Sequence, residues 1–323
     1  ATTMPLLARG VTVKFADINP NTLNIDPNTI EAKITPRTKA IYVMHYGGQP
    51  CEMDAILDIA QRHGLRVVED AAHASGAEYK GRKIGSISDA TCFSFQSLKN
   101  MTTLGEGGML TTNSDDIAKA VNSLQMGYWG EMEEKDVKGI GRYAMPANIF
   151  GDHSQLGWTH RFREIHEVGT HFRMGAPQAA VGLVQLRKLD GMNERRRQIA
   201  RQLNDRLAQV PGLTVQQTPP DVKHVQHLYA FFYNAKKVGA PRQRFMEILA
   251  HECGIQLIQR YWPLHLSTQH QFEGHKFGEC PVVERVFFEE QVNLPINPRL
   301  TPDQVDYMAT SVEETVARLR REN

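Results

Sequence analysis

Short apolar runs alternate with amphipathic stretches along the first half of the chain. Three of these runs predict buried strands, namely KAIYVMHY (39–46), LRVVEDAA (65–72) and ATCFSF (90–95). Between the first two, residues 53–64 carry apolar side chains at helical spacing and end at Gly64, a common C-terminal stop for a helix. This order predicts a βαβ unit, and therefore an α/β fold with a mostly parallel sheet covered by helices.

A long helical pattern begins at Ala176. Apolar stripes continue to about residue 210 and predict one connecting helix with a bend near Gly191. Because such a helix commonly joins two domains, we expect a large domain over 1–190. The end of the connecting helix and a smaller domain would then occupy 191–323.

The C-terminal part mixes strand and helix patterns. Two apolar runs predict strands, HLYAFFYNA (227–235) and GIQLIQRY (254–261). Thr301 and Gln304 match a capping box that begins a last helix. The mixture predicts a small α+β domain.

The segment from Gly127 to Gly169 carries little periodicity and many Gly, Trp, His and Met residues. We interpret it as a long excursion between regular elements. Excursions of this length inside a compact domain are usually functional or disordered.

Composition narrows the class of protein. The 323 residues have a formal net charge of +1 and no long basic run, so nothing indicates a nucleic-acid partner. No apolar run reaches the roughly 18 residues that span a bilayer, and the N-terminus lacks the pattern of a secretory leader. The four cysteines form no CxxC pair, which favours a reducing compartment and a cytoplasmic protein.

Thirteen histidines raise the question of a metal site. His265, His270 and His275 are five residues apart, a spacing that does not put side chains on one helical face, and no HExxH motif occurs. The sequence therefore predicts no metal site.

Two ionisable residues are expected at the same edge of the predicted sheet. Asp70 ends one predicted strand, and the next leads through Ser94 to Lys99. A partly desolvated lysine can form a Schiff base with the aldehyde of pyridoxal phosphate, whose ring needs a carboxylate and whose phosphate needs hydroxyl and N–H donors. Taken singly, Asp70 also fits a cap, Lys99 a surface residue and GEGG a tight turn, and composition and spacing leave both interpretations open.

The stretch VVEDAAHASGAEYKGRKIGSISDATCFSFQSLKNMTTLGEGGMLTTN (67–113) resembles the DegT/StrS-type sugar aminotransferases, a branch of the fold-type-I pyridoxal phosphate (PLP) enzymes. The resemblance continues in FRMGAPQAAVGLVQL (172–186), GIQLIQRYWPLHL (254–266) and VNLPINPRLTPDQVDYM (292–308). It covers nearly the whole chain and is weakest between about residues 130 and 168. It implies the type I fold, with a mostly parallel central sheet and a smaller α+β C-terminal domain.

The resemblance also implies roles for individual residues. Lys99 matches the lysine that holds PLP as an internal aldimine and then moves the proton between substrate carbon and cofactor. Asp70 matches the aspartate on the pyridine nitrogen, and His73 falls where the family has Gln or His near the ring. Ser94 matches the serine that holds the phosphate.

The implied reaction is a ping-pong amino transfer. Glutamate or glutamine loads the amine, and a keto sugar, usually nucleotide-linked, or a keto-cyclitol accepts it. Relatives with histidine in place of the lysine carry out dehydration or deoxygenation, so Lys99 favours amino transfer. The resemblance implies at least a dimer, with the site at the subunit interface.

Two features depart from the family pattern. In GTHFRMGAPQAA, His171 stands where the family commonly has an asparagine that reaches the partner's phosphate, and Arg173 fits equally a salt bridge. The N-terminal segment that carries a phosphate cup and a stacking aromatic in the family does not precede ATTMPLLARG. Three explanations are open: an omitted segment, a second chain that supplies it, or true loss of half of the cofactor cup; we expect one of the first two. The alternative function is a non-catalytic or two-chain partner subunit used for binding or regulation.

The motif RYWPLHL (260–266) has two interpretations. It fits core packing around a rigid turn at Pro263. In relatives the same segment approaches the substrate, so Tyr261, Trp262 and His265 are alternative substrate contacts.

Overall fold

The computed structural model describes residues 2–125 and 169–322, and only the backbone of 129–131 and 163–165. The chain divides into two compact units, one formed by 1–113 with 176–323 and the other by 114–175. Most of the predicted excursion from Gly127 to Gly169 lies outside the described residues.

Helices and strands of the described residues follow each other in mixed order. The helices are α1 (Met4–Leu7), α2 (Met53–His63), α3 (Asp115–Gln125), α4 (Ala176–Leu207), α5 (Ala235–Val238), α6 (Arg242–Glu247), α7 (Thr268–Phe272), α8 (Pro281–Arg285) and α9 (Pro302–Arg321). The strands are β1 (Ala40–Met44), β2 (Arg66–Asp70), β3 (Glu78–Tyr79), β4 (Arg82–Lys83), β5 (Ala90–Ser94), β6 (Gly108–Thr111), β7 (Trp129–Glu131), β8 (Arg163–Ile165), β9 (Leu213–Val215), β10 (Val222–Lys223), β11 (Tyr229–Tyr233) and β12 (Gln291–Leu294).

The central sheet has four strands in the order β1-β2-β5-β6. The first three are parallel, and β6 pairs antiparallel with β5. Helix α2 makes the crossover between β1 and β2, burying Met53, Ile56 and Ile59 against the sheet. It ends at Gly64, whose φ of 63° is the left-handed conformation that glycine adopts without a steric penalty. The predicted βαβ unit and mostly parallel sheet are confirmed.

A second hydrophobic core lies in the C-terminal part of the first unit. The antiparallel sheet β12-β11-β9 packs with α4 and α9, and buries Leu203, Phe231 and Val312 completely. The capping box predicted for α9 is present, because Thr301 Oγ1 accepts from the Gln304 amide and the Gln304 side chain accepts from the Thr301 amide.

The strand predicted over residues 254–261 is wrong. Ile255 is buried in the C-terminal core, but the described sheets do not include this segment. At its end, side chains take the backbone hydrogen bonds of Arg260: its amide donates to Asn293 Oδ1 (3.4 Å), and its carbonyl accepts from Gln291 Nε2 (2.7 Å). Apolar periodicity cannot reveal such a substitution of side chains for a neighbouring strand.

The long helix begins at Ala176, as predicted, and continues through Gly191 to Leu207. The domain boundary at residue 190 stays a prediction. Within the described part of the chain, no helix combines the length and the apolar character needed to cross a bilayer.

Candidate active site

Asp70, Ser94 and Lys99 are brought to one edge of the central sheet. Asp70 is the last residue of β2 and Ser94 the last of β5, and the two strands are parallel neighbours with Asp70 opposite Cys92. Carboxyl ends of parallel strands form the edge at which open α/β sheets bind ligands.

The loop that carries Lys99 is tied to the glycine-rich turn that follows it. The Phe95 amide donates to the Gly107 carbonyl (2.8 Å), and the Ser97 amide donates to the Gly105 carbonyl (2.8 Å). The Lys99 amide closes a tight turn onto the Gln96 carbonyl (2.9 Å). The GEGG sequence therefore does more than reverse the chain, because its carbonyls hold the lysine loop in one conformation.

Lys99 is half-buried, and burial lowers the pKa of its amine. The nearby Asp70 carboxylate opposes that shift, whereas the Arg260 guanidinium adds to it. A lysine with a lowered pKa carries a larger fraction of neutral amine, the form that attacks a carbonyl and accepts a proton.

The Asp70 carboxylate is oriented from both sides. Its Oδ1 accepts from the Ala72 amide (2.9 Å), and its Oδ2 accepts from the Thr2 hydroxyl (2.7 Å). Two hydrogen bonds to one carboxylate keep the group from rotating, so it presents a defined face to a ligand.

Glu69, the residue before Asp70, anchors the end of β2. Its fully buried carboxylate accepts from His45 Nε2 (2.7 Å), Ser88 Oγ (2.6 Å) and Thr91 Oγ1 (2.9 Å). Burial alone raises the pKa of Glu69, but these hydrogen bonds outweigh it and the net shift is downward. The fixed neighbour leaves Asp70 little freedom to move along the strand.

His73 lies in a stack of three aromatic side chains. Its ring stacks on His227 (4.2 Å between centroids, 25° between planes) and on Tyr261 (5.4 Å, 18°). Its Nε2 lies 3.1 Å from the Tyr261 hydroxyl, and its buried Nδ1 has no partner among the described residues. Burial lowers the pKa of His73 well below its ordinary value, and the His227 and Lys99 charges add to the effect.

Asn100, directly after Lys99, joins the lysine loop to helix α4. Its Nδ2 donates to Asn193 Oδ1 (2.9 Å) and to the Val225 carbonyl (3.1 Å), and its Oδ1 accepts from His227 Nδ1 (3.0 Å). Asn193 in turn donates to the Ser75 carbonyl (2.9 Å). Both side-chain amides are buried, so water does not compete for these hydrogen bonds. The network therefore fixes the position of Asn100, the residue next to Lys99.

Replacing Asn193 by alanine is expected to lower the free energy of unfolding by about 1–3 kcal/mol, because the Ser75 carbonyl would stay buried without its donor and Asn100 would lose a bond. Urea unfolding measures the change. The control is Asn28→Ala at an exposed position, expected to change stability by less than about 0.5 kcal/mol. Equal effects of the two variants would contradict the role of the network.

Ser94 and His171 lie in different units. Ser94 Oγ accepts from the Gln96 amide (3.4 Å) at the end of β5. His171 belongs to the unit of residues 114–175, where its exposed Nε2 lies 2.7 Å from Arg173 Nη2. Their predicted roles as phosphate ligands stay predictions.

The motif RYWPLHL divides between the two interpretations. Tyr261 contacts His73 and so belongs to the site. Trp262 instead donates to the Leu266 carbonyl (3.1 Å), and the buried His265 is hydrogen-bonded to Glu284 (2.8 Å). Of the three alternative substrate contacts, Tyr261 alone touches a predicted site residue.

His265, His270 and His275 surround Phe15 with ring distances of 5.9, 4.8 and 4.9 Å. Each uses a ring nitrogen for a separate partner: Glu284, Thr3 and Glu279 respectively. Among the described residues, no group of three or more His, Cys, Asp or Glu side chains is arranged to hold a metal ion.

The sequence analysis missed His227, Arg260 and Asn193. His227 opens the apolar run before β11, and Arg260 opens the RYWPLHL motif, but neither shows a local pattern that indicates a site. Asn193 sits as a polar residue on the buried face of α4, which is the one signal that could have identified it.

Comparison with known proteins connects this chain with aminotransferases. The family model described as the DegT/DnrJ/EryC1/StrS aminotransferase family matches residues 1–313. Among curated relatives, the spore coat polysaccharide biosynthesis protein SpsC of Bacillus subtilis (strain 168) is 38% identical over 318 residues, which cover 98% of this chain and 76% of SpsC.

Solved structures agree with the family match. Helicobacter pylori PseC, an aminotransferase involved in the biosynthesis of pseudoaminic acid, superposes with a TM-score of 0.82 at 26% identity, over 97% of this chain and 76% of PseC. DesI, crystallised in the presence of its TDP-sugar product, superposes with a TM-score of 0.78 at 27% identity, over 98% of this chain and 72% of DesI.

Proposed function

Because this chain belongs to the DegT/DnrJ/EryC1/StrS aminotransferase family and is a PLP-dependent aminotransferase, we propose that it moves an amino group from glutamate or glutamine to a keto sugar or keto-cyclitol. The observation that carries the proposal is the half-buried Lys99, whose pKa is lowered beside the oriented Asp70 carboxylate at the ligand-binding edge of the sheet.

The residues at this edge fit PLP. Lys99 would hold the cofactor covalently, Asp70 would face its pyridine nitrogen, and Ser94 would bind its phosphate. His73 offers a buried ring nitrogen that has no partner among the described residues. When bound, PLP supplies an electron sink for the charge left on a substrate carbon that loses a proton.

The chain's own groups would then divide the work. Lys99 Nζ takes the proton from the α-carbon of the amino donor, which its lowered pKa permits. Asp70 supplies a fixed negative charge, since the Thr2 and Ala72 hydrogen bonds hold both carboxylate oxygens. In the second half of the reaction Lys99 acts in the opposite direction, because the same steps run in reverse on the acceptor.

The sugar acceptor is supported by the relatives. PseC is described as involved in the biosynthesis of pseudoaminic acid, SpsC is named for spore coat polysaccharide biosynthesis, and DesI is described with a TDP-sugar product. We take a nucleotide-linked keto sugar as the first substrate to test. A keto-cyclitol is the second, and glutamate and glutamine stand equal as donors.

The proposal includes a homodimer in which His171 of a neighbouring protomer binds the cofactor phosphate. His171 and Arg173 are exposed, and His171 Nε2 accepts from Arg173 Nε (3.0 Å), so the other guanidinium N–H groups and His171 Nδ1 are the donors available to an anion.

An absorbance spectrum of the protein with added PLP tests the proposed function. We expect a visible band from the lysine adduct that disappears with glutamate or glutamine and returns with a keto-sugar acceptor. Sedimentation of the same sample is expected to show a dimer. A protein that binds PLP but whose visible band changes with neither donor would contradict the proposal. It would favour the alternative function, a binding or regulatory subunit.

A further inference from the structure

Arg260 brings a guanidinium to the site without a carboxylate partner. Nη1 lies 3.4 Å from the Tyr261 hydroxyl, and the guanidinium carbon lies 5.6 Å from the centroid of that ring. No carboxylate among the described residues lies within ion-pair distance of Arg260; the exposed Arg299 shares this property, but Arg260 is partly buried. The partly buried Arg260 guanidinium therefore has no carboxylate counterion among the described residues.

The backbone of Arg260 is held by buried polar side chains. Its carbonyl accepts from the Tyr46 hydroxyl and from Gln291 Nε2 (2.7 Å), and its amide donates to Asn293 Oδ1 (3.4 Å). Gln291 and Asn293 are 4% and 3% exposed. Three side chains from two distant segments therefore fix the point from which the guanidinium extends.

The guanidinium adjoins the aromatic stack that contains His73. Tyr261, over which it lies, is stacked on His73 and contacts its Nε2 at 3.1 Å. Arg260 also contributes to the lowered pKa of both Lys99 and His73, an effect that decays with distance in a partly wet site. An anion bound by Arg260 would therefore sit next to Tyr261, whose hydroxyl contacts the predicted site residue His73.

The two substrates differ in what they carry at the reacting carbon. An α-amino acid donor has a carboxylate attached directly to that carbon. A keto sugar has neutral groups around its carbonyl, and the phosphates of a nucleotide sugar are attached at a different ring carbon. A planar guanidinium matches the geometry of a carboxylate with two parallel hydrogen bonds.

We propose that Arg260 binds the α-carboxylate of the amino donor, with Tyr261 holding the guanidinium plane. This inference rests on the proposed function and specifies a donor subsite within it. Both glutamate and glutamine satisfy it, since each carries the α-carboxylate. A donor whose α-carboxylate is replaced by an amide does not.

The test compares Arg260→Gln and Arg260→Lys with the control Arg299→Gln, an exposed arginine without an ion pair among the described residues. Calorimetry on PLP-loaded protein measures the Kd of 2-methyl-L-glutamate, which lacks the α-proton and is not turned over. We expect the Kd to rise by about 10- to 100-fold in Arg260→Gln and by less in Arg260→Lys. Arg299→Gln is expected to keep the wild-type value.

A second ligand tests the same contact by removing the α-carboxylate instead of the guanidinium. 2-Methyl-L-isoglutamine, in which the α-carboxylate of the first ligand is an amide, is expected to bind wild type about 10- to 100-fold more weakly than 2-methyl-L-glutamate, and this preference is expected to vanish in Arg260→Gln. Because the side chain of Arg260 makes no ion pair among the described residues, the variant should fold normally.

The outcomes separate the subsite from the function. Unchanged Kd for 2-methyl-L-glutamate in Arg260→Gln overturns the inference. A weaker Kd for UDP with an unchanged Kd for the amino acid also overturns it, because the guanidinium would then bind phosphate. Wild-type protein that forms no PLP adduct overturns the proposed function itself, and the inference with it.

Discussion

Lys99→Ala is expected to lower amino transfer by at least about 10³-fold and to abolish the visible band that forms with PLP. The expected loss is large because one amine has two tasks, covalent retention of the cofactor and transfer of the proton at the substrate carbon. Single-turnover kinetics with glutamate, followed by absorbance, measure the effect.

The control for this variant is Lys276→Ala, which removes an exposed lysine remote in sequence from the site. It is expected to retain wild-type activity and spectrum. A Lys99→Ala protein that still transfers amino groups at more than about one-tenth of the wild-type rate would assign the proton transfer to a different residue.

Lowering the pH is expected to destabilise the protein at pH values well above those at which its carboxylates titrate. Burial lowers the pKa of His224 and of His227 from 6.5 to about 3, and neighbouring cations add to it, namely Arg197 for His224 and Lys99, Arg196 and Arg260 for His227. Protonation then favours the unfolded chain, in which both rings are free to titrate. Stability should fall as pH drops below about 6.5, and these two groups stop contributing near about pH 3.

The magnitude follows from linkage. Each such histidine changes the free energy of unfolding by about 1.4 kcal/mol per pH unit inside this window, so His224 and His227 together cost about 4 kcal/mol between pH 7 and pH 5. His73, whose pKa is also lowered, acts in the same direction. Glu69 does not offset the loss. Its pKa is lowered in the folded state, so its carboxylate stabilises the protein at pH values above the ordinary carboxylate range, and this contribution is lost as the pH falls further.

Urea unfolding at a series of pH values measures this dependence. His224→Gln is expected to reduce the slope of the free energy of unfolding against pH by about 1.4 kcal/mol per pH unit, whatever the effect of the substitution on stability at neutral pH. His251→Gln replaces an exposed histidine and is expected to keep the wild-type slope. A stability that stays flat between pH 7 and pH 5 would show that buried histidines accept protons in the folded state.

Several elements could be predicted from the chain because their signals are local. Helix α2 and the strands around it follow from the apolar period and from Gly64, and the start of α9 follows from the capping pair Thr301 and Gln304. Asp70 and Lys99 could be identified as candidate site residues for a related reason, since each lies at or just beyond a strand end that the apolar pattern predicts. Their roles in binding PLP remain proposals derived from the family.

The strand predicted over 254–261 failed because strand formation depends on a neighbour. The segment has the apolar pattern of a strand, but Gln291 and Asn293 satisfy the Arg260 backbone in place of a partner strand. An apolar pattern measures burial and does not identify the groups that take the backbone hydrogen bonds.

By itself, the sequence determined the α/β class, the central βαβ unit and the residues at the ends of its strands, because period, turn chemistry and caps act over a few residues. Only the tertiary structure decided that His227 and Tyr261 stack on His73, that Asn193 holds Asn100, and that the Arg260 guanidinium lies over the Tyr261 ring. Those contacts join residues far apart in the chain. They depend on packing of the whole core, which brings such residues together only after the chain has folded.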